Sequence, residues 1–218
     1  MKHLKRIVDM RSKADEILLN VVEIFHSIQG EGANAGRSAV FVRLSNCNKN
    51  CWYCDTDWSK GETMSVSQIL AEVNKFVGKK DYPNNLIIWT GGEPTLQLTD
   101  EILSHFSEYY NCIETNGTNP VPSLIKYISC SPKVKPEVLR KNFKHVNEFR
   151  YPIGDGDVLP DIAELPAADN YIVSPIFLGE AKKRFEQVDE NVKYAIDFVK
   201  KNPRWRLSLQ LHKLLNIP

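Results

Sequence analysis

LIIWTGGEP, residues 86–94, sets the reading of this chain. Its first residues run without a charge into Gly91-Gly92, which predicts a buried strand ending in a tight turn. A continuous apolar run, rather than an alternating one, fits a strand covered on both faces, as in parallel sheets with crossover helices.

The same punctuation recurs on either side. NCIET (111–115) is a second predicted strand and stops at Asn116-Gly117. VVEIF (21–25), AVFVRL (39–44), 127–131, 148–151, YIVSPI (171–176) and WRLSLQL (205–211) also read as strands. Helical patterns lie between them. Ser65 and Gln68 form a capping-box pattern, followed by a stripe of Ile69, Leu70, Val73, Phe76 and Val77. A helix is predicted over 100–110, and another over 188–201 with Val192, Ala195, Ile196 and Val199 inward. The stretch 151–170, rich in Pro, Asp and Gly, predicts a long loop. Strand–helix alternation implies an α/β fold with a mostly parallel sheet, whose functional loops sit at the carboxyl ends of strands. TGGEP, TNGT, SPK and VSPI all fall at such ends and predict one shared site.

With 218 residues, 42% hydrophobic, the chain is long enough for one domain with a substantial core. A net charge of +1 with 25% charged residues argues against nucleic-acid binding, which neutralises many phosphates, and for a small-molecule substrate or a specific protein partner. No apolar run is long enough to span a membrane. The opening MKHLKRIVDMRSKADE lacks the apolar run of a signal peptide, so a cytoplasmic location is expected. Residues 1–20 are assigned as an extension without a role and 21–218 as the functional domain.

Of five cysteines, three lie in Cys47-x3-Cys51-x2-Cys54. Thiolates suit iron–sulfur clusters or zinc. Structural zinc normally takes four ligands, and no fourth stands nearby. Three thiolates on a four-iron cube leave one iron open, as a catalytic centre requires. The competing reading is a zinc loop completed by Cys112, Cys130 or a histidine. Cys112 and Cys130 otherwise read as small buried hydrophobes.

The cysteine spacing and Gly91-Gly92-Glu93-Pro94 together resemble the radical S-adenosylmethionine superfamily. More narrowly, EIFHSIQGEGANAGRSAVFVRLSNCNKNCWYCDT (23–56) and LQLHKLLNIP (209–218) are similar to the 7-carboxy-7-deazaguanine synthases. That resemblance implies an abbreviated β/α barrel of the radical SAM type, a [4Fe-4S] cluster, S-adenosyl-L-methionine and Mg2+. It also implies a homodimer, an external flavodoxin-like electron donor and a pterin substrate, with neither nucleic acid nor membrane as partner. The implied reaction converts 6-carboxy-5,6,7,8-tetrahydropterin to 7-carboxy-7-deazaguanine with loss of ammonia, after a 5′-deoxyadenosyl radical removes hydrogen from C6.

By position, the resemblance gives Cys47, Cys51 and Cys54 to the cluster and Thr56 to magnesium. Tyr53, Cys54, Asp55, Gly92, Ser131, Pro132, Lys133, Val173, Ser174, Pro175 and Ile176 would touch the cosubstrate. Ile28, Gln29, Gly30, Arg43, Thr90, His212 and the carboxylate of Pro218 would touch the pterin. The chemistry agrees: Arg43 offers a planar fork to a carboxylate, and Thr56 a hard oxygen to magnesium.

Plain structural roles compete at several positions. Arg43, Lys133 and Lys135 could be surface cations. Gln29–Gly32 could be a turn, and Thr56 a cap. Glu93 could bond within its own turn, His212 could be structural, and Trp52 and Tyr53 could merely shield the cluster. Glu114 and Asn116 could support the cosubstrate or only shape a turn. Two other functions compete as well: an activator of glycyl-radical enzymes, which would act on a protein, and a non-catalytic metal-binding module.

Overall fold

The computed structural model describes residues 13–77, 85–176 and 181–218. Residues 1–12 of the expected extension, and 177–180, lie outside the described residues. The strands are β1 (Leu18–Ile28), β2 (Ser38–Leu44), β3 (Glu62–Ser65), β4 (Leu86–Gly91), β5 (Tyr110–Thr115), β6 (Tyr127–Cys130), β7 (His145–Ile153), β8 (Ala167–Pro175) and β9 (Trp205–Leu207). The helices are α1 (Val66–Phe76), α2 (Asp100–Ser104), α3 (Pro136–Asn142), α4 (Ala181–Lys201) and α5 (Leu211–Leu215).

All strands join one sheet in the order β3-β1-β2-β4-β5-β6-β7-β8-β9. β1 is antiparallel to β2 and β3, and every pairing from β2 to β9 is parallel. The result is an open, mostly parallel sheet with helices, an incomplete β/α barrel.

β4 shows why its sequence is apolar throughout. Ile87 and Trp89 face the main core with Val40, Val42 and Ile113. Leu86 and Ile88 face a second cluster with Ala39, Phe41 and Cys112. Because both faces are covered, no polar alternation is possible. The Trp89 indole N–H still finds a partner, donating to Asn111 Oδ1 at 3.0 Å.

The predicted capping box is formed: Ser65 Oγ accepts from Gln68 N, and Gln68 Oε1 accepts from Ser65 N. Ser65→Ala should cost about 1 kcal/mol in a denaturant titration, a typical loss for an N-cap. Phe76 departs from the predicted stripe. It is exposed and stacks on His26 instead.

Four boundaries differ from the sequence reading. β1 starts at Leu18 and pairs there with β3, and Ala14 is buried, so the chain enters the fold before residue 21. The loop expected over 151–170 is shorter, because β7 runs on to Ile153 and β8 starts at Ala167. The first half of β8 is held by its ladder to β7, from His145↔Ala167 onward, rather than by an apolar pattern. The strand expected over 205–211 stops at Leu207: Ser208 N–H makes the last ladder bond, to the Val173 carbonyl at 2.9 Å, and Leu211 begins α5. The helix expected over 100–110 is five residues of α2, followed by turns that still bury Phe106 and Tyr109. No helix among the described residues is long and apolar enough to cross a membrane.

Candidate active site

A cavity of about 520 Å³ opens at the carboxyl ends of the central strands. Cys47, Cys51 and Cys54 all line it. They sit in the loop between β2 and β3, which the turn after β4 clamps. Gly92 N–H donates to the Leu44 carbonyl at 2.9 Å and Glu93 N–H to the Asn46 carbonyl at 2.8 Å. Gly91 has φ of +113°, and a Cβ on Gly92 would lie 1.8 Å from Asn46 O. Glycine is demanded here by close backbone approach, which places the cysteine loop.

Glu93 is fully buried and satisfied by protein. Its carboxylate accepts from Thr95 N, Thr95 Oγ1, Thr115 Oγ1 and Asn116 N. It fastens the β4 turn to the end of β5 and does not line the cavity.

The donor set fits an iron–sulfur cluster. Three thiols share one cavity wall, and burial pushes the Cys47 thiol up, so metal binding would have to draw off its proton. Among the described residues, no three side chains of ligating type stand close enough for a single ion. Thiolates on separate irons of a cube need no such convergence. The two other cysteines offered for completing a zinc site lie elsewhere: Cys112 packs against Ala39 and Phe41, and Cys130 against Leu139 and Phe149. Burial pushes the Cys112 thiol up to about 12.

The floor of the cavity is a buried ionic network. Glu114 accepts from Thr90 Oγ1 (2.7 Å), Gln29 Nε2 (3.1 Å) and Arg150 Nη2 (2.9 Å). Burial opposes its charge, but the Arg150 guanidinium and these donors outweigh it and hold the carboxyl at about 2. Glu31 Oε2 lies 3.7 Å from Arg150 Nη2. Burial pushes the Glu31 carboxyl up against that cation, and nearby Glu114 adds to the rise. Two carboxyls in one cavity are thereby driven toward opposite protonation states.

Of the residues expected to bind ligands, Ile28, Gln29, Gly30, Arg43, Thr90, His212 and Pro218 line the cavity. So do Tyr53, Asp55, Thr56, Gly92, Ser131, Lys133, Ser174, Pro175 and Ile176. Pro132 and Val173 do not: both are buried, and Val173 faces a core with Ile153 and Trp205. Lys133 is no surface cation. Its ammonium donates to Ser131 Oγ (2.8 Å) and lies over the Tyr53 ring, and burial holds its pKa down. Arg43 donates through Nε to Glu23 (2.7 Å) and through Nη1 to the Thr56 hydroxyl (3.1 Å). His212 is held toward the neutral form by burial. Asn116 lines the cavity and also braces the cysteine loop, donating to Asn48 Oδ1 at 2.8 Å.

Glu31, Arg150 and Lys213 are cavity residues that sequence reasoning left without a role. NEFRY carried the signal: Glu148 and Arg150, two apart on a strand, put charge on one face. Two buried polar atoms of cavity residues, Arg150 Nη1 and Ser174 Oγ, have no hydrogen-bond partner. Each needs a partner from outside the chain, which a bound ligand or a water would supply.

The radical SAM superfamily model matches residues 42–152, which contain the cysteine loop, the glycine turn and Arg150. A 7-carboxy-7-deazaguanine synthase from Bacteroides thetaiotaomicron is 36% identical over 92% of this chain and 100% of its own length. The chain belongs to the 7-carboxy-7-deazaguanine synthase family. Another family member, from Haemophilus influenzae, is 38% identical over 91% of this chain and 93% of its own length. The crystal structure of QueE from Escherichia coli shares the fold, with a TM-score of 0.64 at 23% identity over 94% of this chain and 99% of that one. Membership in this family makes the chain a radical SAM lyase with a [4Fe-4S] cluster and S-adenosylmethionine as cofactors.

Proposed function

We propose that this chain converts 6-carboxy-5,6,7,8-tetrahydropterin to 7-carboxy-7-deazaguanine with loss of ammonia. One observation carries the reading: the cysteine loop and the Glu114–Arg150 floor open on the same cavity, so a radical source and a polar heterocycle site face each other. When bound, the cluster and S-adenosylmethionine supply a carbon-centred radical that removes a hydrogen atom from the pterin.

The chain's own residues hold and shield that chemistry. Cys47, Cys51 and Cys54 would hold the cluster. Tyr53, Asp55, Gly92, Ser131, Lys133 and Ser174–Ile176 would hold the cosubstrate. Pro132 would add only shape, and Val173 has its carbonyl already taken by Ser208 N–H. Ile28, Gln29, Gly30, Thr90, His212 and Pro218 would surround the pterin, with Arg43 toward its carboxylate. Magnesium would take the Thr56 hydroxyl, and Arg43 Nη1 would release that oxygen to it. The tail excludes water: Leu211 N–H donates to Gly30 O at 3.0 Å, and the Lys213 ammonium pairs with Asp55.

We take residues 21–218, with the start of β1, as one radical SAM domain. A homodimer in the cytoplasm, reduced by a flavodoxin-like donor, completes the reading. The family membership does not favour a glycyl-radical activator or a non-catalytic metal-binding module.

Anaerobic reconstitution with iron and sulfide, then incubation with S-adenosylmethionine, reductant, magnesium and the carboxy-tetrahydropterin, tests the proposal. A brown protein absorbing near ~400 nm should form, and mass spectrometry should find 7-carboxy-7-deazaguanine together with 5′-deoxyadenosine when the cosubstrate is spent. Cys47→Ala should lose both colour and product. A colourless wild-type protein, or one that yields no deazaguanine, sinks it.

A further inference from the structure

The geometry points to Glu148 as a positioning residue for the pterin: it fixes the 29–33 loop from beneath without touching ligand. This rests on the pterin reading above. Glu148 lies on β7, is only 2% exposed and does not line the cavity. Its carboxylate nonetheless gathers donors from separate parts of the chain. Oε2 accepts from Ala33 N at 2.8 Å and from the Tyr127 hydroxyl at 2.9 Å, while Oε1 accepts from Ser129 Oγ at 2.7 Å.

Gly32 sits directly on this carboxylate. It has φ of +72°, and a Cβ there would lie 2.2 Å from Glu148 Oε1. Its N–H turns the other way, to Ser208 Oγ at 2.9 Å. The loop is thus fixed below by β7 and on its flank by the segment after β9. What it presents to the cavity is Gln29, Gly30 and Glu31. Gly30 O in turn accepts from Leu211 N, so the placement of α5 and His212 follows the loop. A buried carboxylate that accepts from a loop backbone is a charge-assisted anchor, stronger than a neutral one.

Apart from Asp55, which pairs with Lys213 of α5, the cosubstrate side hangs on other contacts. The cysteine loop is clamped by Gly92 and Glu93, and Ser131 and Lys133 are tied to Thr115 O and Asn116 O. Loss of the Glu148 anchor therefore loosens the pterin site and leaves the cosubstrate site standing.

The test compares Glu148→Leu, of similar bulk, with Glu148→Gln, in reconstituted full-length protein. Glu148→Leu should raise the pterin KM about tenfold or more while the S-adenosylmethionine KM moves less than about twofold. More 5′-deoxyadenosine should be released per deazaguanine formed, because the radical meets a misplaced substrate. Glu148→Gln should recover most of the loss, since its amide oxygen still accepts from Ala33 and Tyr127 while the Ser129 hydroxyl reverses to accept. A rise of both KM values together, no rise in either, or a Gln variant as poor as the Leu variant overturns the assignment. Should Glu148→Leu fail to fold, Gly32→Ala displaces the loop from the same carboxylate with β7 intact and must give the same split. Wild-type protein in the same series separates the two ideas. Absence of deazaguanine there overturns the pterin reading and this inference with it. An active wild type with unsplit variants overturns this inference alone.

Discussion

Arg150→Met is expected to lose about 3–5 kcal/mol of stability near neutral pH, and turnover with it, because it strips one buried cation from several buried carboxylates. The Arg150 side chain is 9% exposed, and its guanidinium lies within 4 Å of Glu31, Glu114 and Glu148. This cation, with the Thr90 and Gln29 donors, keeps Glu114 ionised against its burial. Methionine fills similar space but leaves the carboxylates facing one another.

The pH dependence has a definite sign. The folded Glu114 carboxyl sits at about 2, below its ordinary 4.5, so its stabilisation is present above the ordinary value and fades as pH falls toward the folded one. Glu31 works oppositely. Its raised carboxyl favours the protonated form, so that contribution is fully present in acid and is lost as pH rises through its folded value. Without Arg150, Glu114 rises as well, and the buried charges are relieved by protonation. The gap between variant and wild type in denaturant unfolding should therefore narrow from neutral pH to about pH 4. A constant gap would mean that the guanidinium serves as packing alone.

The second large effect is expected at Gly92. Gly92→Ala should reduce turnover about a hundredfold or more, since a displacement of about 1 Å at a reacting centre costs that much. The new methyl would stand 1.8 Å from Asn46 O, 2.4 Å from Asn46 C and 3.1 Å from Cys47 N. These are backbone atoms, already clamped by the Gly92 and Glu93 N–H bonds, so no side chain can swing aside. Either the glycine turn lifts or Cys47 moves. Iron content and absorbance near ~400 nm separate the outcomes: a moved Cys47 loses iron, and a lifted turn keeps it but weakens the cosubstrate. Undiminished turnover would show that the close approach carries no function.

The parts of the site legible in the sequence are those written by local chemistry. Cys47-x3-Cys51-x2-Cys54 and the capping box each depend on near neighbours, so spacing alone exposes them, and Gly91-Gly92 shows as a turn at a strand end. The strand ends at TGGEP, TNGT, SPK and VSPI do converge on one cavity, because parallel strands send their carboxyl ends to one side. What stayed hidden is set by distant partners. Arg150 finds Glu114, 36 positions away, across β6, and nothing near either residue announces the other. Glu148 reads as one polar residue in a strand until Ala33, 115 positions off, comes to lie on it. WRLSLQL alternates as a strand should, yet its ladder to β8 ends with the Ser208 N–H, the Ser208 hydroxyl accepts from Gly32, and α5 follows. Val173 sits within a motif that faces the cavity but turns inward itself, as an alternate strand position must, and Pro132 is buried in the loop after β6.

The tail, which lines the cavity as a roof opposite the Glu114–Arg150 floor, has a consequence for biosynthesis. The Ser27 hydroxyl donates to Pro218 O across 191 positions of chain. A polypeptide emerging from the ribosome can pair its first strands and present its cysteine loop long before that roof exists. During this interval Asp55 lacks its Lys213 partner, and the cysteine loop stays open to solvent on that side.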